Sequence, residues 1–311
     1  MKRARIILII LCVCALLGGW RYWKVKQANV DTEGPVLSAD EDEIEVSIKA
    51  TDAELTEGVT AWDETDGDVS DNIIIETIEM TSEDDSEEFE ITYVAFDAAG
   101  NVGRLTRTLV YTDYRQTHFE LTGELRLAQN GSWSLFDYVQ ADDYIDGDLS
   151  PFITIDGSED VQPDSSTGTY KCTLSVTNSV GDTTELPIQV EIYEDTYEEQ
   201  TFRPSIVLSN YLTYVEKDGR FNPEDYIDHV ADGGTYMIDY GEMIETEKNG
   251  ETVLVTEKEY NEEAGNWVNI TEIGISSNVD TSVTGVYSVL YTYTSESTGY
   301  DCSTRLIVVV E

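Results

Sequence analysis

Basic residues are scarce in this 311-residue chain: 18 Lys and Arg stand against 63 Asp and Glu, a formal net charge of −45. Six of the 18 (Lys2, Arg3, Arg5, Arg21, Lys24 and Lys26) precede the first acidic residue, Asp31. The remainder therefore sets 12 basic against 63 acidic side chains, a balance of −51. Such a surface repels polyanions, which excludes a nucleic-acid partner. Histidine is scarcer still, and His118 and His229 read as surface residues. There is no G-x-S-x-G element, so no nucleophile elbow is offered. Glycine-rich phosphate loops and the dinucleotide fingerprint are missing too. A glycosidase pair cannot be singled out among 63 acids. The chain is accordingly not expected to be an enzyme. Of four cysteines, Cys12 and Cys14 fall in an apolar leader, and Cys172 and Cys302 are 130 residues apart. That spacing makes neither a zinc site nor a small disulfide framework, and the latter two are expected as buried single thiols in strands.

A long apolar run is missing as well. Ile6 to Gly19 is uncharged for 14 residues, whereas a full span needs about 20. A basic head at 1–5 followed by a short apolar stretch has the form of a secretory signal. Trp20, Tyr22 and Trp23 are types favoured at a membrane interface, Arg21 can snorkel, and no A-x-A site follows. The expectation is a signal anchor or transmembrane helix over 6–23 and a juxtamembrane linker over 24–32. It gives a single-pass protein of the cell membrane, N-terminus inside and ectodomain extracellular. Secretion after signal cleavage is the alternative.

What the chain does have is a repeat. Residues 61–70, AWDETDGDVS, and 141–150, ADDYIDGDLS, share Ala, three Asp, Gly and Ser in register at an offset of 80. Phe96-Asp97-Ala98-Ala99-Gly100-Asn101 lines up with Thr177 to Asp182 at an offset of 81. Two segments in register imply two copies of one domain. Period-two alternation at Ile44–Ile48, Glu88–Phe96, Thr169–Thr177 and Glu185–Tyr193 marks half-buried strands. A third, longer copy echoes the second through Asp225-Tyr226-Ile227 and Gly285–Tyr293. Its insertion of about 35 residues carries Asn249-Gly250 between apolar runs, a hairpin signal. The fold class is therefore all-β: three tandem immunoglobulin-like sandwiches at 33–113, 117–194 and 202–311 after an N-terminal hydrophobic helix. Polar linkers near 113–118 and 194–203 suggest a semi-extended rod.

The pattern Asp31-x-x-x-Pro35, Gly58-Val-Thr-Ala-x-Asp63-x-x-Asp66-Gly-Asp68-Val, then Tyr93-x-x-x-Asp97-x-x-Gly100-Asn101 resembles the bacterial Ig-like surface domains related to that of the Cry22Aa crystal protein. More loosely it is similar to HYR-type repeats. In the second copy Asn178 stands for Asp97, and the third keeps only strand pattern and length. The resemblance implies tandem modules on bacterial surface or secreted proteins, serving as spacers, adhesion modules or binding modules. One fold hosts many functions, so it implies no particular ligand. The expected function is a non-enzymatic surface protein with domain 3 binding a protein or glycan on a two-domain stalk. A carbohydrate-binding or accessory subunit of an envelope or secreted assembly and a pure spacer are the alternatives.

The sharpest candidate site is for Ca²⁺, which takes hard oxygen ligands. Asp63, Asp66 and Asp68 form a compact acidic loop, and Asp97 belongs to a turn expected at the same end of the sandwich. The second repeat offers Asp143, Asp146, Asp148 and Asn178. The competing reading is that Asp-Gly-Asp makes only a tight turn. Trp62, Trp133 and Trp267, with Tyr211, Tyr214, Tyr236 and Tyr240, admit a sugar-stacking or protein-binding face, or plain core packing.

Overall fold

The structure, a computed structural model, describes residues 14–22, 31–81, 88–157, 161–261 and 265–311. The chain divides into two compact units, Met1–Tyr114 and Arg115–Glu311. Residues 14–22 form helix α1. Among the described residues no helix is long and apolar enough to cross a membrane. The single-pass, N-terminus-inside localisation expected from the sequence is thereby overturned. The basic head, Ile6 to Val13 and residues 23–30 lie outside the described residues.

The first unit contains β1 (Val36–Ala39), β2 (Glu43–Val46), α2 (Asp52–Leu55), β3 (Val59–Asp63), β4 (Gly67–Asp68), β5 (Ile74–Met80), β6 (Glu88–Phe96) and β7 (Val102–Tyr111). They make two sheets, in the orders β1-β3-β4 and β2-β7-β6-β5. Alternation on β6 sends Phe89, Ile91, Tyr93 and Ala95 fully inward and leaves Glu88, Glu90 and Thr92 outside the core. A side-chain period of two buries one face of a strand. Between β2 and β3 the chain makes one helical turn, α2, stopped from fraying by a capping box of Thr51 and Glu54. Tyr93 reaches this turn and donates its hydroxyl to the Leu55 carbonyl at 2.6 Å.

The second repeat has the same plan: β8 (His118–Leu121), β9 (Arg126–Ala128), β10 (Val139–Asp143), β11 (Gly147–Asp148), β12 (Thr154–Asp156), β13 (Gly168–Thr177) and β14 (Thr183–Tyr193). Its sheets run β11-β10-β8 and β12-β13-β14-β9. Leu186, Ile188, Val190 and Ile192 point inward from β14. Pro187 lies on β14 beyond its short pairing with β9, where a missing N–H costs nothing to the ladder.

Helix α3 (Tyr197–Phe202) leads into the third repeat: β15 (Ser205–Leu208), β16 (Leu212–Val215), β17 (Ile227–Ala231), β18 (Thr235–Asp239), β19 (Met243–Lys248), β20 (Glu251–Thr256), α4 (Glu257–Tyr260), β21 (Trp267–Asn269), β22 (Gly274–Ser277), β23 (Gly285–Thr294) and β24 (Asp301–Val310). Its sheets run β15-β17-β18-β21 and β16-β24-β23-β22, and β19-β20 is a separate hairpin. One parallel pairing recurs in each repeat, β2 with β7, β9 with β14 and β16 with β24. All three repeats are β-sandwiches. Cys172 on β13 and Cys302 on β24 are both buried, and burial pushes the Cys302 thiol up to about 11.

The second and third repeats share one apolar cluster. Leu212 and Ile307 join the core of the second repeat, with Tyr211, Tyr214 and Val309 packed against it. Tyr214 accepts the Phe119 N–H at 2.8 Å and stacks on His118 with centroids 3.8 Å apart. Burial pushes its phenol up to about 12. Residues 194–203 hold a helix, and the repeats on either side of it form one body. The polar composition of that segment had suggested an extended connection.

Candidate acidic metal site

In the first repeat the turn after β3 is built by Asp63. One of its carboxylate oxygens accepts the N–H groups of Thr65 (2.8 Å) and Asp66 (2.9 Å). Gly67 then takes φ +79°, a backbone region that disfavours a Cβ. Asp66 reaches across to the next turn and accepts the Ala98 N–H at 2.7 Å. That turn is closed by Asp97, which accepts from the backbone and side-chain nitrogens of Asn101, both at 2.7 Å. Burial works to raise the Asp97 pKa, but the bonds from Asn101, Gly100 and Ala99 hold its carboxyl below the ordinary aspartate value.

These turns bring Asp63, Asp66 and Asp97 together with Asp31, one carboxylate oxygen of each lying within 4.8 Å of the others. Asp63 and Asp97 are only 3% and 7% exposed. Asp31 had entered the sequence pattern only as part of the family resemblance. Its Oδ1 accepts the Glu33 N–H at 3.2 Å, while its Oδ2 is buried with no hydrogen-bond partner among the described residues. An orphaned carboxylate oxygen inside an acidic cluster fits a hard cation. Oxygens about 2.4 Å from a central calcium lie at most about 4.8 Å from one another. Asp68 is not part of this group. It accepts the N–H and hydroxyl of Ser70 at 3.0 and 2.6 Å, which lower its pKa.

The second repeat builds the same turns with Asn178 in place of Asp97 and a buried Asp182 in place of Asn101. Asp143 accepts from Ile145 N and Asp146 N, at 2.8 and 2.9 Å. Its other oxygen accepts the Thr117 hydroxyl at 2.6 Å and the Asn178 amide at 3.2 Å. Asp146 accepts the backbone and side chain of Ser179, and Asp148 caps Ser150. Asp143, Asp146 and Asp148 each have a protein donor. In the third repeat Asp232 is met by the hydroxyls of Ser295 (3.0 Å) and Tyr293 (3.3 Å). Among the described residues the Asp31 group is the one such acidic cluster.

The aromatic residues divide. Trp133 packs against the core and donates to the Ala128 carbonyl at 2.7 Å; Tyr211, Tyr214 and Tyr236 also pack on cores. Trp267 is half-buried on β21, and Trp62 and Tyr240 are exposed. His118 meets Glu311 at 3.0 Å and His229 meets Asp228 at 2.7 Å.

No family model matches the chain, so the likeness to the Cry22Aa-type and HYR-type domains rests on the residues quoted, and no curated protein matches it either. Among solved structures it is similar to the M60 catalytic domain with the CBM51-1 and CBM51-2 domains of Clostridium perfringens ZmpB. There 89% of this chain and 30% of that one are covered, at 11% identity and a TM-score of 0.20. A lipoprotein of Bacteroides thetaiotaomicron covers 62% of this chain and 98% of its own, at 12% identity and a TM-score of 0.22. Human CDH23 EC21-23 covers 89% and 100%, at 14% identity and a TM-score of 0.19. Likenesses this faint say nothing about ligand or activity.

Proposed function

We propose that this chain is a non-enzymatic binding protein. Its first sandwich holds one calcium ion among Asp31, Asp63, Asp66 and Asp97, and its divergent third repeat meets a protein or glycan partner. The observation that carries the calcium reading is the buried Oδ2 of Asp31, without a hydrogen-bond partner among the described residues, inside a set of four converging carboxylates. Two unit charges at this separation repel by on the order of 3 kcal/mol at an effective dielectric of about 20. A divalent cation turns that repulsion into attraction. Calcium suits the set because it accepts irregular shells of six to eight oxygens, with carbonyls or waters completing the four carboxylates. The partner reading is supported by the inserted hairpin and α4, where Met243, Leu254 and Tyr260 are more than half exposed.

The test is thermal unfolding of the full chain with and without millimolar calcium. A ligand bound only by the native state raises the melting temperature with its saturation. The first unit's transition should rise with calcium, lose the rise in Asp66→Asn, and keep it in Asp146→Asn. An unchanged transition, or the same rise in Asp66→Asn, would return the cluster to turn chemistry.

A further inference from the structure

A cleft of about 390 Å³ opens within the second unit, lined by β13 and β14 of the second repeat and by β23 and β24 of the third. Buried Cys172, Ile188 and Ile307 are among its lining residues. Small-molecule sites commonly have volumes of roughly 300–1,000 Å³ and favour the seams between domains. Two of the twelve basic residues that follow position 26 line it, Lys171 from the second repeat and Arg305 from the third.

Their state is unusual for this composition. Acidic residues outnumber basic ones about fivefold beyond that point, yet among the described residues neither Lys171 nor Arg305 has a carboxylate within ion-pair range. Arg305 is held by one bond, from Nη1 to the Ser288 hydroxyl at 3.0 Å. The rest of its fork stays available, and a guanidinium fork matches a carboxylate edge. Around these cations stand neutral and acidic hydrogen-bonding groups. Asp156, Gln189 and Asn278 are exposed at the cleft. Asn278 already uses its carbonyl oxygen to accept the Ser288 N–H at 2.9 Å, so what it has to offer is its amide, a donor. Tyr287 adds a half-buried ring, tied by its hydroxyl to the Val283 carbonyl at 2.9 Å.

The presence of Asp156 discriminates between ligands. A compact dianion such as phosphate would meet this carboxylate as well as the cations. A ligand with its charge at one end and hydroxyls at the other satisfies both. Asp156 then accepts sugar hydroxyls, and the tyrosine ring covers a C–H face. We propose that the cleft binds a hexuronic acid sugar, with the carboxylate on Lys171 and Arg305 and the hydroxyls toward Asp156, Gln189 and Asn278. The site needs both repeats and lies wholly in the second unit, so it is independent of calcium in the first.

Titration calorimetry on the full chain tests this with glucuronate, glucose, acetate and inorganic phosphate as probes. Glucuronate should saturate at millimolar concentration or below, with glucose, acetate and phosphate each at least about tenfold weaker. A hydrogen bond to a charged group is worth about ten- to a hundredfold in affinity. Arg305→Gln and Lys171→Gln should therefore each weaken glucuronate by about tenfold or more. Lys171 is exposed, so its variant keeps the fold and isolates the charge. Absence of saturation by glucuronate overturns the proposal, as does glucose binding equally well. So does phosphate or acetate matching glucuronate, which would leave a bare anion site, or a Lys171→Gln variant that binds unchanged.

Discussion

Asn178 donates its amide to the Asp143 carboxylate across 3.2 Å, at the place where the first repeat sets the Asp97 carboxylate beside Asp63. Ser295 holds the same place in the third repeat. All three residues directly follow the penultimate long strand and close equivalent turns, with backbone bonds from Asp97 to Asn101, Asn178 to Asp182 and Ser295 to Tyr300. The turn forms with carboxylate, amide or hydroxyl alike. Its geometry therefore does not require the charge on Asp97, and turn chemistry alone leaves that charge unexplained.

Asn178→Asp should show what the amide does. The new carboxylate faces Asp143 and deprives it of a donor. A lost buried bond of this kind costs about 1–3 kcal/mol. The urea midpoint of the second unit should fall at neutral pH. The loss should shrink in acid, and added calcium should reverse part of it, since the introduced carboxylate would join those of Asp143 and Asp146 in repeating the acidic set. A midpoint that stays put at neutral pH would mean that the amide bond contributes nothing.

Asp97 fixes the sign of an acid effect in the first unit. Its folded pKa lies below the ordinary value, so its stabilising bonds are fully present above the unfolded aspartate value near 4. They are lost as the pH falls through the lower folded value. Glu124, in the second unit, runs the other way. Burial raises its pKa against the pull of Thr304, Arg203 and Arg126, so it favours folding in acid and that contribution is lost as the pH rises. Glu124→Gln should thus stabilise the second unit at neutral pH and change little in acid, while Asp97→Asn flattens acid unfolding of the first. Parallel pH profiles for wild type and both variants, followed by circular dichroism, would contradict these assignments.

The sequence made the sandwiches legible wherever a strand alternates cleanly, as on β6 and β14, because period-two burial is written residue by residue. It also pointed to Asp63, Asp66 and Asp97. It could not separate Asp68 from them, since Asp68 differs only in which way the strand pairing turns it, toward Ser70. Asp31 was hidden for a related reason: its approach depends on how the chain before β1 runs. The close approach at Gly103, where a Cβ would lie 1.8 Å from the Pro35 carbonyl oxygen, left no trace in composition. Nor did the cleft, whose two cations are 134 positions apart in the chain.

Tyr93 and Tyr291 are counterparts, both fully buried, and each donates to a carbonyl of a helical turn, Leu55 at 2.6 Å and Pro223 at 2.7 Å. The second repeat has Leu174 at this position. Replacing either tyrosine by Phe keeps the ring and strands the carbonyl, for about 1–3 kcal/mol. Each variant should lower the denaturant midpoint of its own unit and leave the other unit's transition in place. A loss shared by both units, or none, would count against the pairing of these bonds with their own sandwiches.

Arg126 on β9 fastens helix α3. Its guanidinium lies 3.7 Å from the Tyr193 ring centre, with Nε on Glu191 at 3.1 Å and Nη2 on Glu199 at 2.8 Å. Only 11% of the side chain is exposed. A six-residue helix has no stability of its own, so α3 depends on such contacts. Glu191 and Glu199 are 43% and 29% exposed, so solvent screens the pairs and the loss of the charged hydrogen bonds costs about 1–3 kcal/mol. Arg126→Ala should destabilise the second unit by that order and speed amide exchange over residues 197–202. Arg126→Lys should rescue little, because an ammonium cannot bridge two carboxylates in a plane while stacking on the ring. If exchange over α3 is unchanged in Arg126→Ala, the helix is held instead from its other end. There Phe202 stacks on Tyr300 and its carbonyl accepts the Thr298 hydroxyl at 2.9 Å.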